Sequence, residues 1–190
     1  MANRNIKILA FVGLTGSGKS TAAAYMASKG YPKLYFGGVI YKAMKDAGID
    51  ITPENAHKFR EKIRAEEGTD YVVRQIIPEA KNLINAGQNR IIADGIYSWT
   101  EYKIMKKEFP GKLMVAAIVS PKKLRHRRLI NRPTHPLSQF EADQRDWSEI
   151  ENLEKGGPIA IADYYIINDG TLEDLYRKID IFLEEKGFML

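Results

Sequence analysis

The sequence predicts an α/β domain, a parallel sheet whose strands are joined by crossover helices. Three observations predict it. Strand and helix signals alternate along the 190 residues, which is the pattern of successive βα units. The glycine-rich run at positions 13–21, GLTGSGKST, lies between the apolar stretch Ile6–Val12 and a helix-compatible stretch, Thr21–Ser28. Hydrophobic residues make up 44% of the chain and charged residues 28%, a balance that supports one folded domain with room for a small inserted lid.

Each element follows from local chemistry. Ile6–Val12 is apolar and short, as a buried strand should be. Gly30 and Pro32 mark a loop into a short strand at Lys33–Phe36, and Gly37-Gly38 introduces a helix from about Val39 to Ala47, stopped by Gly48. Thr52 as N-cap hydroxyl and Pro53 at the first helical position start a helix that runs to about Glu67. Gly68 breaks it. A further helix covers Asp70–Ala86, with Pro78 inside it as an irregularity and Gly87 as its close. Arg90–Asp94 reads as a buried strand, and Ser98 with Glu101 as a capping box for a helix ending near Phe109. After the turn Pro110-Gly111 comes Leu113–Val119, the most apolar strand. Ser120-Pro121 opens a helix dense in arginine, Pro133 and Pro136 bracket a loop, and another helix runs to about Glu154 until Gly156, Gly157 and Pro158 end it. Tyr164–Ile167 is the last strand, Asn168-Asp169-Gly170 a turn, and Leu172–Glu185 an amphipathic terminal helix.

The glycine run carries the chemistry. It fits G-x-x-x-x-G-K-[ST] at Gly13, Gly18, Lys19 and Ser20. Glycines let the chain curl, so that the backbone N–H groups of Thr15, Gly16, Ser17 and Gly18 and those that follow point inward at phosphate oxygens. The helix N-terminus adds partial positive charge at the same spot. Lys19 is expected to reach the β- and γ-phosphates, the Ser20 hydroxyl to hold Mg²⁺, and Thr21 to offer a further phosphate contact. Strand, loop and helix in this order indicate a nucleoside triphosphate binder.

Composition narrows the partners. The formal net charge is +5, a modest basic excess suited to anionic phosphates. With no dense Lys/Arg tail and no aromatic–basic interleave, the sequence points away from nucleic acid and toward a small molecule. Cysteine is absent, which excludes disulfides, thiol catalysis and thiolate metal sites. Met1–Lys7 is polar and lacks the apolar core of a secretory signal, and no run reaches the length of a membrane span. A cytoplasmic monomer or homodimer is the expectation.

Among the classes that use such a loop, a GTPase would need a DxxG strand end and an NKxD base reader; Asp94-Gly95-Ile96-Tyr97 is not that pattern, and NKxD is missing. A motor or AAA-type ATPase would need a longer chain and a strand ending in paired acidic residues. A small-molecule kinase needs an acceptor pocket, a carboxylate at the metal and mobile arginines over the phosphates. Asp94, at the carboxyl end of an apolar strand, can bind Mg²⁺ or accept a proton from an acceptor hydroxyl. Arg125, Arg128 and Arg132 share one helix face, with Arg145 across the proline loop, and guanidinium forks there would stabilise a transferring phosphoryl group. The competing reading is a solvated basic face. Arg127 points elsewhere, His126 and His135 are bystanders, Trp99 and Trp147 are packing residues, and Tyr164 and Tyr165 pack on the last strand.

The order GLTGSGKS, DGI, SP…RRL, RD and ADYYIINDG is similar to the nucleotide-kinase group of P-loop enzymes. Within that group it resembles the adenylate-kinase-related proteins of archaea and, more distantly, dephospho-CoA kinases. The likeness covers nearly the whole chain, and the ADYYIINDG ending is its more particular part. It implies a P-loop NTPase fold, three layers α/β/α on a five-stranded parallel sheet. A helical acceptor-binding insertion at about 38–88 and a short lid at about 128–145 are also implied, with ATP and Mg²⁺ as donor and cofactor. By the same likeness Arg64, Arg128, Arg132 and Arg145 match phosphate-contacting arginines, and Asn168 and Gly170 lie beside the adenine.

The chain departs from that pattern twice. Gly37-Gly38-Val39-Ile40-Tyr41 replaces the usual G-D-x-x-R after the second strand, and Tyr97 stands where the archaeal relatives carry an arginine. Tyrosine can stack on a base or donate one hydrogen bond but cannot neutralise a dianion. An acceptor site around Gly38, Tyr41 and Tyr97 therefore suits a nucleoside, a larger nucleotide conjugate, or a monophosphate held by Arg64 and Arg74. The function expected is ATP- and Mg²⁺-dependent phosphoryl transfer to a nucleotide-like acceptor. The alternatives are a dephospho-CoA or nucleoside kinase, and a nucleotide-binding protein without catalysis.

Overall fold

The structure, a computed structural model, describes residues 5–190 except for the side chains of Pro53 and His57. The reading of Met1–Lys7 thus lies partly, at residues 1–4, outside the described residues. Five strands form the sheet: β1 Lys7–Val12, β2 Lys33–Tyr35, β3 Arg90–Asp94, β4 Leu113–Val119 and β5 Tyr164–Ile167. They lie in the order β2-β3-β1-β4-β5, and every neighbouring pair is parallel. This is the α/β/α P-loop architecture that the sequence predicts. Because β1 lies between β3 and β4, the crossover connections run to opposite sides of its carboxyl end. The loop after β1 therefore opens onto the crevice of the sheet.

Side-chain alternation along β1 divides the core. Ile8, Ala10 and Val12 face one layer, with α4 (Tyr71–Asn85) and α5 (Trp99–Glu108), where Val73, Ile76, Met105 and Phe109 are buried. Leu9 and Phe11 face the other, with α1 (Lys19–Ser28) and α9 (Leu172–Glu185), where Ala22, Met26, Ile179 and Phe182 are buried. Burying each large side chain stabilises the fold by about 1.5–3 kcal/mol, which is why the central strands tolerate almost no polar residue. A third, smaller cluster of Ile40, Met44 and Ala56 joins α2 (Phe36–Asp46) to α3 (Pro53–Glu67), with Ile63 and Tyr71 packed on it. The remaining helices are α6 Lys122–Ile130, α7 Gln139–Glu151 and the short α8 Gly156–Ala160.

Several local readings are corrected. The second strand ends at Tyr35, and α2 starts at Phe36 rather than near Val39. Turning at Phe36 buries its ring completely. A Cβ on Gly37 or Gly38 would meet the Tyr35 ring at 3.0 or 2.8 Å, so this glycine pair makes room for that ring. Pro78 does not interrupt α4. It sits on the exposed side while Val73, Ile76 and Ala80 stay buried, and that packing outweighs one missing backbone bond. Gly156-Gly157-Pro158 does not simply end a helix: α7 stops at Glu151, and the glycines open α8. Gly157 lacks a side chain because the Trp99 ring lies where its Cβ would be, at 2.7 Å. Trp99 stacks on Tyr102 at 5.2 Å and so packs as expected, whereas Trp147 and Tyr165 are 53% and 46% exposed and pack little. β5 is an edge strand, which leaves Tyr165 no covering layer.

Candidate active site

Residues 13–18 curl between β1 and α1 as the motif requires. Gly13, Gly16 and Gly18 have φ of +147°, +83° and +102°, values that side chains strongly disfavour. Packing forbids a Cβ as well: one on Gly13 would meet the Ile118 carbonyl oxygen at 2.3 Å, and one on Gly18 the Asn168 amide at 2.4 Å. The loop is tethered from behind. Asn168 Nδ2 donates to the Ser17 carbonyl at 2.8 Å, and Arg128 Nη1 donates to Ser120 Oγ at 3.0 Å. The strand-end residue Asn168 thus positions the loop as well as facing the cleft.

Lys19 and Ser20 open α1, and both line a cavity of about 700 Å³, a volume suited to small-molecule ligands. Among the described residues the Lys19 ammonium has no hydrogen bond or ion pair. Burial lowers its pKa, against the attraction of Glu149 and Asp94. An unpartnered ammonium beside curled backbone amides is a donor set that fits a triphosphate. The Ser20 hydroxyl is exposed to the same space. Asp94 lies behind the cavity wall at the end of β3, nearly buried, with Lys33 Nζ at 3.3 Å from its carboxylate. A hydroxyl and one carboxylate fit Mg²⁺, which keeps most of its other ligands as water and phosphate oxygens. No group of three metal-ligating side chains occurs among the described residues.

The arginines separate into different roles. Arg128, Arg132 and Arg145 line the cavity. Arg125 does not share their role: it is buried, clamps Asp146 with two bonds of 2.7 Å, and donates to the Thr15 carbonyl at 3.0 Å. His126 is not a bystander in packing terms, since its ring bonds Asp146 at 2.9 Å and Gln139 at 2.8 Å. Arg127 is exposed, as its spacing indicates. Arg74 turns away from the cavity to pair with Asp70 at 3.3 Å, and Gly38 does not line it either.

A second chamber opens from the loop into α2, α3 and α4. Tyr41, Tyr97, Ile63 and Arg64 line it, together with Arg60 and Lys155, which sequence reasoning missed. Arg60 was detectable as the residue one helical turn before Arg64. Lys155 had no local signal, because the glycines after it read only as a helix stop. Its ammonium, 2.6 Å from Glu149 Oε1, lies 5.1 Å above the Tyr97 ring centre. Burial pushes the Lys155 pKa down to about 8 despite Glu149. Burial would raise the Glu149 carboxyl, but Lys155, Thr15 and Arg145 overcome it and hold the group at about 2. Thr15 contributes a backbone N–H at 2.9 Å and its hydroxyl. Burial raises Glu101 to about 7, although its Oε2 accepts from the Tyr97 N–H at 2.7 Å and caps α5.

A family model described as an AAA domain matches residues 12–142. A UPF0200 protein of Sulfurisphaera tokodaii is 33% identical over 94% of this chain and 97% of its own. The chain belongs to the AAA domain family of P-loop proteins, and to the UPF0200 proteins. The acidic pair expected of an AAA-type motor is missing here, since β3 closes on Asp94 and Gly95 follows it. The fold is shared with solved kinases. A shikimate kinase from Acinetobacter baumannii in complex with shikimate aligns over 96% of both chains at TM-score 0.58 and 20% identity. A gluconokinase from Sinorhizobium meliloti aligns over 98% of both at TM-score 0.53 and 15% identity. Among the described residues no helix is long and apolar enough to cross a membrane.

Proposed function

We propose that this protein transfers a phosphoryl group from ATP, with Mg²⁺, to a small nucleotide-like acceptor. The observation that carries the reading is the continuity of the cavity. The phosphate loop and Lys19 form one end and the tyrosine- and arginine-lined chamber the other, so donor and acceptor can meet within one continuous space. The kinases named among the structural neighbours support the same reaction class.

In this reading the loop amides and Lys19 hold the β- and γ-phosphates, and Asn168 and Gly170 border the adenine. Ser20 and Asp94 would hold Mg²⁺, with Asp94 first released from Lys33. The bound ion neutralises charge on the phosphate oxygens. Arg128, Arg132 and Arg145, from the proposed lid at 128–145, close on the transferring group and exclude water. The helices within 38–88 supply the acceptor chamber: Tyr41 packs the body of the acceptor and Arg64, with Arg60, its anionic end. Tyr97 borders the same space from the loop after β3. No covalent intermediate on the protein is required, because positioning and charge do the catalysis.

ADP release in the presence of ATP and Mg²⁺ should rise severalfold with one member of a panel of nucleoside monophosphates, nucleosides and dephospho-CoA. Saturable ATP binding without any acceptor-stimulated release would instead mark a nucleotide-binding protein without catalysis. Stimulation by polynucleotide alone would move the acceptor to nucleic acid.

A further inference from the structure

We infer that Lys155 is the specificity-determining cation of the acceptor chamber, binding the phosphate of a phosphomonoester acceptor together with Arg60 and Arg64. The inference deepens the phosphoryl-transfer reading and rests on it.

The placement of Lys155 is specified twice over. Its backbone N–H donates to the Glu149 carbonyl at 3.0 Å, and its ammonium donates to the carboxylate of the same residue at 2.6 Å. The preceding residue, Glu154, is held at φ +52°, a left-handed conformation that a residue with a side chain disfavours. Packing alone would favour an apolar residue at a site only 5% exposed, since a buried ion pair is seldom more stable than a hydrophobic replacement. The ammonium also forms part of the cavity wall. It carries three N–H donors, and Glu149 takes one, leaving donors for a ligand.

The surroundings require an anion. Arg60 and Arg64, one turn apart on α3, line the cavity, and neither guanidinium has a hydrogen bond or ion pair among the described residues. Desolvation and the neighbouring Arg145 and Arg64 depress the Arg60 pKa, and Lys19 and Arg145 act likewise on Lys155. Opposing anions are few. Glu149 is already bound by Thr15, Arg145 and Lys155, and Glu101 is engaged in capping α5. Cations that repel one another around a cavity are stabilised when a ligand brings negative charge. A phosphate dianion supplies that charge, and guanidinium forks match its oxygens.

Tyr97 lies directly beneath the Lys155 ammonium. A phenol at position 97 offers no charge, so the cation of this wall comes from the segment after α7 instead. An arginine introduced at position 97 can reach the same space.

The test compares wild type with Lys155→Met, Lys155→Arg, Lys155→Met/Glu149→Gln and Lys155→Met/Tyr97→Arg, each first checked for an intact thermal transition. The double variant with Glu149→Gln removes both charges of the buried pair and serves if Lys155→Met alone fails to fold. Isothermal titration of AMP, GMP, CMP and UMP onto protein saturated with a non-hydrolysable ATP analogue reads acceptor binding without turnover. The expected result is a tenfold or greater loss of phosphomonoester affinity in Lys155→Met. ATP-analogue affinity should stay within twofold, with recovery in Lys155→Arg and in the Tyr97→Arg combination. Equal phosphomonoester affinity in wild type and Lys155→Met overturns the inference, as does a parallel loss of ATP-analogue binding. No binding of any of the four to wild type overturns it too. If the binding pattern holds but no acceptor releases ADP, the transfer reading fails while the role of Lys155 in binding stands.

Discussion

The two ends of the cavity are built in opposite ways. At the phosphate loop the backbone behind the binding surface is tied down at Thr15 and Ser17. Asn168 holds Ser17, Arg125 holds both Thr15 and Asp146, and Glu149 holds Thr15. At the far end Arg60 and Arg64 reach the cavity with no hydrogen bond or ion pair among the described residues, on helices whose joint cluster is small. In the proposed reading a tethered donor end suits a ligand portion that never changes, a polyphosphate, whereas an unneutralised acceptor end draws its order from whatever fills it. Generic chemistry is preorganised here, and selective chemistry is left for the ligand to complete.

The comparison can be broken first at the donor end. Lys19→Ala should lower kcat by about a thousandfold, roughly 4 kcal/mol of transition-state stabilisation, with the thermal transition unchanged. Wild-type-like turnover would remove the loop from the chemistry. Asp146→Asn should cost about 3 kcal/mol of stability in denaturant titration, because Arg125 and His126 would lose a buried carboxylate. A loss below about 0.5 kcal/mol would show the tether to be dispensable. At the acceptor end the sign differs. Arg60→Ala and Arg64→Ala should each weaken the acceptor by about tenfold or more in KM, on the scale of one charge-assisted bond. Stability should hold or rise, since each substitution relieves cation–cation repulsion; a clear drop in melting temperature would mean that these guanidiniums do support the fold.

The smallest effect is a pH dependence. Lys155 is charged below its pKa of about 8 and neutral above it. Acceptor KM should therefore rise as pH passes 8, by about tenfold one to two units higher. The groups facing the ammonium are Glu149 and Arg145 on α7, Lys19 at the loop, Tyr97 before α5 and Glu101 on it, the last raised to about 7 and so ionising at the lower edge of the range. Of these, Glu149 is ionised throughout that range and does not titrate with it. A KM that stays flat from pH 7 to 9.5, or a profile unchanged in Lys155→Arg, would count against the assignment.

Glu149 and Arg125 show where sequence reasoning runs out. Read by helical periodicity, Arg125 belongs with Arg128 and Arg132, yet Asp146 on α7 draws it into the interior. Glu149 has no motif of its own and matters only because α7 crosses the loop at Thr15. Arg74, expected at the acceptor, pairs instead with Asp70, while Arg60 on α3, to which no role had been assigned, lines the cavity. Helix capping, by contrast, was legible residue by residue, because Ser98 and Glu101 satisfy backbone donors three positions apart.

The sequence by itself determined the order of strands and helices, the parallel sheet and the phosphate loop. These depend on hydrophobic periodicity and on contiguous main-chain amides, both of which a linear pattern encodes. Only the tertiary structure decided the chamber proposed for the acceptor. Its charges come from positions 60 and 64 on α3 and from 155 before α8, its rings from 41 and 97, and such groups meet only through long-range packing.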